Sequence, residues 1–127
     1  MAHTVFRHGS PAMIDYTPST GDVALGAVVV LGSVTANTKG TGALTAICHR
    51  PITNGVQGAL AIEGGVYSCV NLDNAATAAK LWWDASTNKG TTTSTNNAAL
   101  GFIVANGGGG ANTTCYFYHE PFPPLPA

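Results

Sequence analysis

At 127 residues the chain has room for one domain, and with 45% apolar residues it can bury a core. A formal net charge of -1, with only 9% of residues charged, leaves no basic face for nucleic acid or anionic lipid. Disorder needs few apolar residues and high charge, and this composition is the reverse, so the surface must be built of Thr, Asn, Ser and Gly or be covered by partners.

Residues 1–11 contain Arg7 and no apolar core of a signal sequence, so no targeting segment is expected there. The longest apolar run, 23–31, is too short to span a bilayer and is broken by Gly26. The three cysteines, Cys48, Cys69 and Cys115, are odd in number and widely spaced. They read as buried free thiols rather than a zinc site or a disulfide framework, and they place folding in a reducing cytoplasm.

Taken in order, residues 1–10 lack periodicity and are expected to form an extended arm. Met13-Ile14-Asp15-Tyr16-Thr17 alternates like a half-buried strand. Pro18-Ser19-Thr20-Gly21-Asp22 is a turn cluster. The β-branched run at 27–31 is the best candidate for a core strand, with Gly26 at a bend. A Thr/Asn/Gly-rich loop follows, with a short strand at 33–35. Residues 43–49 form a strand stopped by Pro51, and Thr53-Asn54-Gly55 signals a turn.

Strands are expected at 57–63 and 66–70, meeting at the Gly64-Gly65 corner. Residues 71–79 are the one plausible helical piece, with Asp73 as its cap. Residues 81–84 and 90–93 pair as a hairpin whose turn amides Asp84 would accept. A strand at 100–105, a glycine-rich loop at 106–112 and a strand at 113–119 complete the domain. In the last strand Cys115, Phe117 and His119 alternate against Thr114, Tyr116 and Tyr118. Residues 120–127 hold four prolines in eight positions and read as an extended, polyproline-like arm. The fold class expected is all-β: a small barrel or sandwich of about eight short strands with at most one short helix. The divisions are an N-terminal arm at 1–11, a β-barrel at 12–119 and a proline-rich arm at 120–127.

No catalytic or metal-binding pattern emerges, and no cofactor is implied. His3, His8, His49 and His119 lack ligand spacing and read as surface or interface groups. Cys48 and His49 are strand neighbours, so they point to opposite faces and do not form a nucleophilic pair. The glycine run at 107–110 lacks the Lys-Ser/Thr of a phosphate loop. Trp82 and Trp83 are also adjacent on a strand, so one should face the core and the other outward. The outward ring is expected to pack on a neighbouring subunit. A carbohydrate-binding β-module using it together with Tyr67 is the alternative reading, and a small hydrolase centred on Glu63 or Cys69 is a third.

The ordered segments carry a resemblance. Gly26-Ala27-Val28-Val29-Val30, Leu60-Ala61-Ile62-Glu63-Gly64-Gly65-Val66-Tyr67, Leu81-Trp82-Trp83-Asp84 with Asn88-Lys89-Gly90-Thr91-Thr92, Leu100-Gly101-Phe102-Ile103-Val104-Ala105 and Cys115-Tyr116-Phe117 lie in sequence. In order and spacing over residues 12–119 the chain resembles the small capsid cement, or decoration, proteins of tailed bacteriophages. It departs in its proline-rich extension and in carrying two tryptophans where one aromatic is usual. The resemblance implies a non-enzymatic β-barrel, made in the host cytoplasm, that binds the outside of an assembled head. Its partners would be the major capsid protein and itself, as a homotrimer or alternatively a dimer, with no direct nucleic acid and no membrane. The expected contact residues are Phe6 and Arg7 in the first arm, Trp82 and Trp83, and Pro121, Phe122, Pro123, Pro124 and Leu125 in the last.

Overall fold

A computed structural model of the chain describes residues 3–32, 43–73, 76–106 and 112–121. The strand expected at 33–35, the glycine run at 107–110 and the proline-rich segment from 122 onward lie outside the described residues. Among those described there are ten strands and no helix.

Five strands close on themselves. β6 (Val66–Asn71) pairs antiparallel with β10 (Thr113–His119), which pairs antiparallel with β9 (Ala98–Asn106). β9 pairs with β7 (Lys80–Asp84), and β7 pairs with β8 (Lys89–Thr91). β8 returns to β6 in parallel through Asn71 and Gly90, which completes a barrel. Its interior is filled by Tyr67, Cys69, Leu81, Trp83, Leu100, Ile103, Cys115 and Phe117. Each large apolar side chain so buried contributes roughly 1.5–3 kcal/mol. The inward positions on β10 follow the alternation read from its sequence.

A second layer grows from β9. β4 (Ala43–Cys48) joins β9 in parallel at Leu44 and Ala99. It then carries β3 (Val28–Gly32) on one edge and β5 (Gly58–Glu63) on the other, and β5 carries β2 (Ala12–Tyr16). Ile47 of β4 points into the barrel cluster, whereas Ala46 and Cys48 pack with Ile52 and Leu60 in a second cluster. The most buried strand outside the barrel is therefore β4, with both faces covered. The run at 27–31, expected as the core strand, is half-buried at each position because its strand, β3, lies at the edge of β4.

Two further expectations change. The first arm contains β1 (Val5–His8), which pairs antiparallel with β6. All four of its side chains are exposed, so no alternation marks it, and backbone pairing holds it. The helix expected from residue 71 does not begin there, because Asn71 still belongs to β6. Asp73, read as its cap, instead binds residues 91 and 92: its Oδ2 accepts from Thr92 N at 2.7 Å, Thr91 Oγ1 at 2.8 Å and Thr92 Oγ1 at 3.0 Å. The 84–89 turn forms as read, with Asp84 Oδ1 accepting from Ser86 N at 2.9 Å and Asn88 in the left-handed region at φ 56°.

Gly101 sits where β9 passes β10, and a Cβ there would fall on the Tyr118 carbonyl oxygen. Gly101→Ala is expected to destabilise the barrel by about 3 kcal/mol. Gly55→Ala, whose Cβ meets nothing within 4 Å, should cost only about 1 kcal/mol of backbone strain. Urea unfolding of both variants checks this, and equal losses would contradict it.

Candidate partner-binding surface

Two surfaces flank β1. The first is a groove of about 320 Å³ lined by Thr4, Val5, Phe6, Leu25, Gly26, Ile47, Cys48, His49 and Tyr67. Thr4 fixes one wall, since its N and its Oγ1 both donate to the Gly26 carbonyl at 3.0 Å. Gly26 bends as expected, at φ 81°, and its N donates to the Cys48 carbonyl at 2.8 Å. The floor is aromatic. The Phe6 ring lies 4.7 Å from His49 and 5.3 Å from Tyr67, and the Tyr67 hydroxyl shares a 2.6 Å hydrogen bond with His49 Nε2. Val5, Phe6 and Leu25 are exposed at the rim. Burial lowers the His49 pKa and raises that of the Tyr67 phenol, so both stay neutral near pH 7.

The second surface is the outer face of β6, β10 and β9. Register places Ser68 opposite Tyr116, Val66 opposite Tyr118 and Tyr118 opposite Phe102. The Phe102 and Tyr118 rings are 5.5 Å apart, and Arg7 extends over the Tyr116 ring with Cζ 5.7 Å from its centroid. The result is an aromatic sheet face with one cation stacked on it.

The expected contact residues separate. Phe6 is exposed on the groove rim and Arg7 on the outer face. Trp82 is half-buried with its indole N–H enclosed and without a partner among the described residues. Trp83 is 1% exposed and fills the barrel, where it supports the fold. Pro121 is likewise buried. Phe122, Pro123, Pro124 and Leu125 lie outside the described residues. Tyr67 is fully buried, which removes it as a sugar-stacking platform. Sequence reasoning missed Leu25, Tyr116, Tyr118 and Phe102 as surface groups. Strand alternation carried the signal for Tyr116 and Tyr118, since both oppose inward Cys115 and Phe117.

The cysteines are free and buried, as their spacing implied. Cys69 and Cys115 face each other across β6 and β10 with Sγ atoms 3.8 Å apart. Their shared hydrogen bond and burial push the Cys69 thiol up, so it stays protonated and acts as core. Among the described residues no three His, Cys, Asp or Glu side chains converge to hold a metal ion.

A family profile described as phage cement protein matches residues 8–117. The chain belongs to the phage cement proteins. No curated protein and no solved structure matches it. The profile covers almost the whole barrel, including β2 to β9 and most of β10. Membership gives the chain a structural role in the virion.

One histidine of this cement protein is a core residue, against the expectation of surface histidines. His119 is fully buried because it alternates inward after Cys115 and Phe117. Thr45 Oγ1 donates to the Ala99 carbonyl at 2.8 Å and so accepts from His119 Nε2 at 3.0 Å. The ring is thus the Nε2–H tautomer, and its Nδ1 is enclosed with no donor. Burial lowers its pKa from 6.5 to about 4. Between those values the unfolded chain takes a proton that the folded chain refuses, so stability falls as the solution is acidified. His49 acts in the same direction. Asp73, held low chiefly by the Thr92 N–H, and Asp84, held low chiefly by the Ser86 hydroxyl, add losses only below the ordinary carboxylate range. Urea titrations are expected to show about 2–3 kcal/mol less stability at pH 4.5 than at pH 7. His119→Gln, which keeps a donor toward Thr45 and cannot titrate, should flatten most of that difference. An unchanged pH dependence would contradict the assignment.

Proposed function

We propose that this cement protein binds the outer surface of an assembled phage head and stabilises it without catalysis. The observation that carries the reading is the family match across residues 8–117. Its partners are the major capsid protein and other copies of itself, arranged as a homotrimer. Synthesis takes place in the host cytoplasm, which suits three thiols that are all free.

The physical logic is linkage. A shell filled with DNA pulls its subunits apart. A protein that prefers the expanded lattice and bridges several subunits stabilises that lattice by mass action. Copies tied to one another gain further from effective concentration. Residues 12–119 carry the barrel, and the segments on either side, 1–11 and 120–127, carry contacts. On the outer face Arg7 with Tyr116 supplies one cation and a broad aromatic contact area, Trp82 adds to the outward surface on β7, and Phe6 offers a separate contact on the groove side of β1. Such faces are poor in charge and need little desolvation on binding.

The boundary of the last arm follows from its anchor. Glu120 N donates to the Leu100 carbonyl at 3.1 Å and Pro121 is buried, so the separable part begins at residue 122. Deletion of 122–127 is expected to leave the unfolding midpoint unchanged and to weaken co-sedimentation with expanded empty heads about tenfold or more. Full retention of head binding by the truncated protein would count against the arm's role. Failure of the intact protein to sediment with heads would remove the reading itself.

A further inference from the structure

The groove beside β1 is apolar and aromatic and is lined by described residues, and the chain carries a segment with the chemistry to fill it. Its floor is Phe6, His49 and Tyr67, and its rim is Val5 and Leu25. The segment is Pro121-Phe122-Pro123-Pro124-Leu125-Pro126, in which Pro121 with Pro124 and Pro123 with Pro126 repeat the same spacing. Proline has no backbone N–H, so this run cannot lengthen the sheet along the free edge of β1. Polyproline segments are instead received by aromatic-lined grooves, which gain from a ligand already extended before it binds.

Direction decides which copy supplies it. β1 and β10 both run antiparallel to β6, so they run the same way. Both end beside Val66, the partner of His8 in one and of Tyr118 in the other. The segment therefore leaves past the end of β1, whereas the groove lies back along β1 from Phe6 toward Thr4 and Gly26. Its starting point is fixed, since His119 N donates to the Gly65 carbonyl at 3.0 Å and Pro121 is buried. Entry into its own groove would require the chain to turn back after Pro121. Phe122 and Pro123 each precede a proline, which disfavours the helical region, and the proline rings restrict φ, so such a reversal is opposed by the sequence. Six residues from 122 to 127 span about 19 Å in the polyproline form, enough to cross to a neighbour and lie along its groove.

We infer that the groove formed by Phe6, Leu25 and His49, with Tyr67 buried beneath them, is the seat of the C-terminal segment of a second copy of this chain, with Phe122 and Leu125 as its anchors. Each copy then offers one groove and one arm, so the exchange is reciprocal in a two-fold pair or head-to-tail in a closed ring. The inference deepens the self-association in the proposed function. Its test contains no heads, so it fails or stands separately from head binding.

The test uses full-length protein in which carbon-13-labelled and unlabelled chains are refolded together. Isotope-filtered nuclear Overhauser spectra then report only contacts between different copies. The expected result is transfer from Phe122 and Leu125 protons of one copy to Phe6, Leu25 and His49 protons of another. In sedimentation equilibrium the full-length double variant Phe122→Ser/Leu125→Ser should keep the parent's unfolding midpoint and associate at least tenfold more weakly. Contacts seen only within one chain would overturn the inference, as would their absence, or association equal to that of the parent.

Discussion

Everything in this structure depends on β6 being bordered on both sides. One edge is taken along its whole length by β10, and the other is shared by β1 at its start and by β8 at its end. The β8 contact closes the barrel, and it is short. It consists of one parallel step at Asn71 and Gly90, a 2.7 Å bond from Leu72 N to the Gly90 carbonyl, and the Asp73 carboxylate gathering Thr91 and Thr92. A Cβ at Gly90 would press on the Leu81 side chain at 3.1 Å, so the glycine lets Leu81 pack close against β8. With closure in place Tyr67, Cys69, Cys115 and Phe117 share one interior, and their strand neighbours form the outer face.

Local patterns were legible in the sequence wherever a strand had one wet and one dry side. The alternation at 113–119 located β10 and its inward residues, and the adjacent tryptophans divided as strand geometry requires. The Asp84 turn was readable because its hydrogen bonds close within four residues. Features made by contacts distant in sequence were not readable. Asp73 reaches Thr91 and Thr92 only after β7 and β8 have formed, so locally it looked like a helix cap. Thr45 and His119 are 74 positions apart, and nothing near His119 announces a buried partner. β1 carries four exposed side chains and is recognised only by its register on β6. The groove is assembled from four separate stretches, and no one of them suggests it.

The architecture suits adhesion. Strands β1, β2 and β3 each pair on one side, which leaves backbone edges at the periphery of the described sheet. Such edges are natural templates for contact with another chain. A rigid closed barrel positions them at little entropic cost, and a charge-poor face limits the desolvation penalty when it docks. The barrel supplies the fixed geometry, and in the proposed reading the arms join it to other copies and to the coat.

The most direct test of the central claim is the temperature at which DNA-filled heads release their genome. Heads assembled without this protein should release DNA at a lower temperature than native heads, and adding purified protein should restore the native value as it saturates the shell. Identical release curves with and without the protein, on heads shown to carry no copies in the second case, would contradict a role in holding the shell together.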